Sequence, residues 1–86
     1  HASTDFVVFA IENTAKRLGI PGSKVYQALQ SSNGIQDFLY PSYPTLHTQG
    51  KEYIVDEVLE YLKEHHAAIT SRKKELWEYI MVQQPK

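Results

Sequence analysis

Apolar residues recur along most of the chain at intervals of three and four, the spacing of one helix face. The clearest case begins at Lys51. With successive residues turned by 100°, Ile54, Val55, Val58, Leu59 and Leu62 fall on an arc of about 140°. Glu52, Asp56, Glu57, Glu60 and Glu64 fall on the other side. The pattern predicts an amphipathic helix, with Thr48 placed to cap its start. No Gly or Pro interrupts the chain from Lys51 to Gln84. The apolar phase continues through Ile69, Leu76, Trp77 and Ile80. The series Val55, Leu59, Leu62, His66, Ile69, Lys73, Leu76, Ile80 steps alternately by four and three, the heptad rhythm. One continuous helix of about 50 Å fits this pattern. A helix pair broken near residues 65–70 also fits, because His65-His66 and Ile69-Thr70 are mediocre helix formers. Against the break, a helix starting at Thr70 would place Arg72-Lys73-Lys74 at its positive end.

Upstream, the spacing predicts a helix over Asp5–Leu18, capped by Ser3 or Thr4 and stopped by Gly19. Val7, Val8, Ile11, Ala15 and Leu18 lie within an arc of about 100° and are expected to face inward. Phe9 falls among the polar Glu12, Asn13 and Lys16, so it must be covered by something else or exposed. A second helix is expected over Ser23–Ser32, opened by Pro21-Gly22-Ser23 and closed by Asn33-Gly34, with Val25, Ala28 and Leu29 inward. A short helical turn from Ile35 to Tyr40 follows. Pro41 and Pro44 are then expected to prevent regular structure through Thr45. That would leave Phe38, Tyr40 and Tyr43 in an ordered loop packed on the core. No segment alternates as a strand does. The expected fold is a small all-α bundle of four to five helices, with a helix-turn-helix-like corner and a long C-terminal helix or helix pair. Residues 5–64 would form the domain and 65–86 a helical extension. Residues 1–4 are expected to be an expression scar or a disordered start.

Length and composition narrow the chemistry. Eighty-six residues make one small domain. The absence of cysteine excludes disulfides, thiolate metal sites and a cysteine nucleophile. Nine basic against ten acidic side chains give a net charge of −1, so no strong field draws the chain to nucleic acid or membrane. No apolar run approaches the length of a spanning helix. A cytoplasmic protein is the expectation.

Ala15, Gly19 and Val25 have the spacing of a helix-turn-helix, whose second helix would offer Lys24, Gln27 and Gln30 to a major groove. DNA affinity needs several cations against phosphates. Residues 1–50 carry Lys16, Arg17 and Lys24 against Asp5, Glu12 and Asp37, so a structural corner is favoured over a DNA-binding one. Leu46-His47-Thr48-Gln49-Gly50-Lys51 precedes the long helix. Gly50 would bare backbone amides, Lys51 would add charge, and His47 could move a proton, so a small ligand-binder or enzyme is one reading. The other is a helix cap, with Leu46 plugging the core. His65 and His66 are adjacent and point about 100° apart, which does not make a metal face. No nucleophile elbow, phosphate loop or paired-carboxylate signature occurs. The chain is therefore expected to have no catalytic residues, no metal and no cofactor. The acidic stripe of Glu52, Asp56, Glu60 and Glu64 is either solvated or a docking face for a basic partner, with Tyr53 as a contact anchor. Ile69, Leu76, Trp77 and Ile80 would then need a protein partner, a second copy, or a fold back over Phe9; pairing is the expectation.

The run Leu46-His47-Thr48-Gln49-Gly50-Lys51-Glu52-Tyr53-Ile54-Val55-Asp56 is distinctive. With Asp5-Phe6-Val7-Val8-Phe9, Ile11-Glu12 and Val25-Tyr26, it resembles a family of small bacterial domains of unknown function. The resemblance covers about Asp5–Lys63. It implies no activity. Members of that family look like gene neighbours of small ADP-ribosyltransferase-like proteins, an arrangement that suggests toxin and antitoxin. The functional expectation is a non-enzymatic interaction module, antitoxin-like, with the acidic face steering a basic cleft of the partner. A helix-turn-helix regulator and a small ligand-binder or enzyme using His47 and the Gly50 helix start are the alternatives.

Overall fold

A computed structural model describes residues 1–65, and four helices account for most of them: α1 (Ala2–Leu18), α2 (Gly22–Ser31), α3 (Tyr40–Leu46) and α4 (Lys51–Glu64). A single π-helical turn, Ile35–Leu39, runs directly into α3. No strand occurs among the described residues. The all-α expectation is met.

α4 follows its wheel. Ile54, Val55, Val58, Leu59 and Leu62 are buried, while Glu52, Asp56, Glu60 and Glu64 are exposed. Tyr61, next to Ile54 on the wheel, widens the buried arc and was not among the expected core residues. α4 ends at Glu64, where His65 leaves the helical region (φ −113°, ψ 24°). The choice between one continuous helix and a helix pair falls on residues 66–86, outside the described residues. The pattern of Ile69, Leu76, Trp77 and Ile80 lies outside the described residues.

α1 packs against α2, α3 and α4, so its buried face is broader than sequence periodicity suggests. Phe6, Val7, Ala10, Ile11, Thr14, Ala15 and Leu18 are all buried, an arc of about 180°. That arc is centred nearer Thr14 than expected. Val8 falls just beyond its edge and is exposed, which corrects its inward placement. The helix also starts earlier than expected, at Ala2, with His1 at its cap and no side-chain capping bond. Neither Ser3 nor Thr4 caps it; Thr4 Oγ1 instead lies 3.3 Å from the Tyr40 hydroxyl. The C-terminus is a Schellman closure. Gly19 sits at φ 72°, its N–H bonds the Lys16 carbonyl, and the Ile20 N–H bonds the Ala15 carbonyl.

The largest departure concerns the prolines. Residues 40–46 form α3, with Pro41 near its start and Pro44 inside it, rather than an irregular loop. Proline removes one amide and its ring collides with the carbonyl four residues back in an α-helix. The π turn ahead of Pro41 changes that register: the Tyr40 N–H bonds the Ile35 carbonyl, five residues back. Pro41 is the second residue of α3, where a missing amide costs little, whereas Pro44 is the fifth, and nothing in the structure explains its place there. Phe38, Tyr40 and Tyr43 do pack on the core as expected, but from helical positions.

Candidate functional site

The corner between α1 and α2 is built as the spacing implied. Ala15 and Val25 are buried and Gly19 takes the left-handed turn between them. Lys24 and Gln30 are exposed on α2, whereas the Gln27 Oε1 is buried with no hydrogen-bond partner among the described residues. Arg17, one of the few cations nearby, is turned toward α4. Its Nη2 donates to Glu52 Oε1 and Asp56 Oδ1, each at 3.1 Å. The N-terminal half of the acidic stripe is therefore tied to α1, and Glu60 and Glu64 remain at the surface.

The 46–51 run divides by role. Leu46 is buried and fills the core beneath the loop. His47 stacks on Tyr43, with ring centroids 4.5 Å apart. Thr48 does not cap α4: its Oγ1 donates to the Thr45 carbonyl at 3.2 Å, and Gly50 occupies the cap in an extended conformation with no capping side chain. The sequence pointed to Thr48 as the nearest hydroxyl, but the two-residue offset lets the preceding turn recruit it. Gln49, Gly50 and Lys51 are exposed.

Three open grooves surround these elements. A cleft of about 230 Å³ is lined by Asn13, Lys16, Arg17, Lys51, Glu52 and Val55. A second, of about 320 Å³, lies between α1 and α2 and includes Val8, Ile11, Glu12 and Tyr26. The third, of about 360 Å³, is aromatic: Phe6, Phe9, Tyr43 and His47 line it with Ala2, Asp5, Gln49 and Ile54. Phe6 meets Tyr43 edge-on at 5.5 Å. Sequence reasoning flagged Phe9 and His47 separately but could not join them, because the groove draws on three segments distant along the chain. Among the described residues, four large apolar side chains are exposed: Val8 (53%), Phe9 (42%), Tyr26 (45%) and Tyr53 (49%). Of the expected partner-binding residues, Tyr53 is thus at the surface, and Ile69, Leu76, Trp77 and Ile80 lie outside the described residues. No group of three metal-ligating side chains is assembled among the described residues, and no described helix is long and apolar enough to cross a membrane.

No curated protein and no solved structure matches the chain. A family model does match, that of the proteins of unknown function called DUF3791, and it spans residues 5–65, the whole of the helical body from the first turn of α1 to the cap of α4. With most of its length so matched, the chain belongs to the DUF3791 family.

Proposed function

We propose that this domain is a non-enzymatic protein-interaction module, an antitoxin-like inhibitor of an ADP-ribosyltransferase-like partner. The observation that carries the interaction reading is the exposure of Val8, Phe9, Tyr26 and Tyr53 on a body that carries open grooves. Val8 and Tyr26 line one groove, Phe9 lines another, and Tyr53 is exposed on α4; large apolar side chains in open surroundings suit contact with another protein surface better than enclosure of a small molecule. The exposed carboxylates of Glu60 and Glu64 would steer a basic partner. The sequence pattern of Ile69, Leu76, Trp77 and Ile80 supplies a further apolar stripe to the same reading. The antitoxin element rests on the gene neighbourhood implied by the family resemblance, and a cytoplasmic location goes with it.

Purification of the tagged chain from its native cell, with mass identification of what accompanies it, tests the proposal. One protein at near-equal amount, with ADP-ribosyltransferase activity that the chain suppresses, is the expected result. A chain that purifies alone counts against the interaction reading. A partner with no such activity counts against the antitoxin element only.

A further inference from the structure

We propose that the aromatic groove of Phe6, Phe9, Tyr43 and His47 receives an arginine side chain from a basic segment of the partner protein, an inference that rests on the interaction reading above. The buried Phe6 and Ile54 give the groove an apolar floor, suited to the methylene stem of a long side chain. The exposed Phe9 offers ring surface, on which a guanidinium stacks more readily than a compact ammonium does, and the Tyr43 ring, stacked on His47, walls the groove beside it. Asp5 lies one helical turn before Phe9 and supplies a carboxylate with no ion-pair partner among the described residues. α3 ends beside the groove, where His47 and Gln49 line it, and a helix C-terminus carries partial negative charge. The first turn of α1 carries the opposite partial charge, and Asp5 is the acidic residue placed there.

The cations of the body are elsewhere. Lys16, Arg17 and Lys51 line the separate cleft on the Val55 side of α4, and none lines the aromatic groove. Residues 1–65 carry five basic and eight acidic side chains, a local net of −3 within a chain of net −1, so the preference for a basic segment is local to this body rather than a long-range field. A purely apolar occupant would cover Asp5 without compensating it, and an acidic one would be repelled.

The test is a titration of the isotope-labelled full chain with N-acetyl-arginine amide, followed by NMR. Shifts should concentrate at Asp5, Phe9, Tyr43, His47 and Gln49. The apparent affinity should fall about two- to fivefold in Asp5→Asn and in Phe9→Ala, the range expected for one exposed cation contact. Both side chains are exposed, so these variants should keep the fold. The uncharged citrulline analogue should leave the groove signals in place. Equal shifts with citrulline, or arginine shifts centred on Glu60 and Glu64, would overturn the proposal. So would groove signals that move on Arg72→Gln without any probe, which would put the chain's own segment there, or that move with protein concentration, which would put a second copy there. A cellular partner held undiminished by Asp5→Asn and Phe9→Ala would overturn the groove assignment and leave the interaction reading standing.

Discussion

Gly34 lies directly against Tyr61: a Cβ built on Gly34 would sit 2.6 Å from the Tyr61 Cε2 and 3.0 Å from the Leu29 Cδ2. Tyr61 is held there by its hydroxyl, which donates to the Ser32 carbonyl at 3.0 Å, and by rings of Phe38 and His65 stacked on it at 4.7 and 3.9 Å. The contact joins the end of α2, the π turn and the end of α4. Glycine is needed at position 34 for closeness, not for conformation, since its φ is −70° and the left-handed residue is its neighbour Asn33, at φ 60°.

Gly34→Ala should therefore destabilise by about 1–3 kcal/mol, as overpacking of a filled site does. Tyr61→Phe should cost about 0.5–1.5 kcal/mol for the lost hydrogen bond. Denaturant midpoints would measure both. A Gly34→Ala protein as stable as the parent would mean that Tyr61 does not occupy this position.

Leu59 and Glu60 are neighbours in sequence, about 100° apart around α4, the first buried and the second exposed. Leu59→Ala should cost about 2–5 kcal/mol, with the spread set by how far the cavity relaxes. Glu60→Ala should change stability by less than about 0.5 kcal/mol. A larger loss for Glu60→Ala would contradict the assignment of the buried face.

α4 was legible in the sequence because its apolar and acidic residues separate cleanly and because it has only one wide side to bury. α1 was less so. It touches three other helices, and periodicity alone centres the face on Ile11 and misplaces Val8. The prolines misled for a different reason. Their cost is visible at Pro41 and Pro44, but the turn ahead of Pro41 is set by a hydrogen-bond register, Tyr40 to Ile35, which no residue type announces. At the candidate site the 46–51 run stood out as a string of residues. The role of Thr48 and the alignment of Phe9, Tyr43 and Ile54 depend on tertiary packing and left no local signal.

Thr14 is fully buried in α1, and its Oγ1 has no hydrogen-bond partner among the described residues. Thr14→Val replaces the hydroxyl by a methyl of similar shape. It should be neutral or stabilising, by up to about 1–3 kcal/mol if the desolvation penalty is relieved in full. Thermal unfolding of the two proteins provides the check. A clear loss of stability would show that the hydroxyl is bonded in solution.

Arg17 bridges two carboxylates one turn apart on α4, but Glu52 and Asp56 are both well exposed. Each contact is worth about 0.2–1 kcal/mol at most. Arg17→Ala should lower stability by an amount of that order at low salt, and the difference should shrink as ionic strength rises. A loss that is independent of salt would point to packing of the arginine stem as its cause.

On the interaction reading proposed above, Val8, Phe9, Tyr26 and Tyr53 belong to protein contact surface. Hydroxyl-radical labelling of these four side chains, compared between the purified chain and the same chain in its native cells, measures this most directly. The three aromatic side chains should label strongly and Val8 more weakly in the purified protein, with marked protection of a subset in cells that is lost when the identified partner is deleted. Equal labelling in both settings, with the partner gene present, would contradict it.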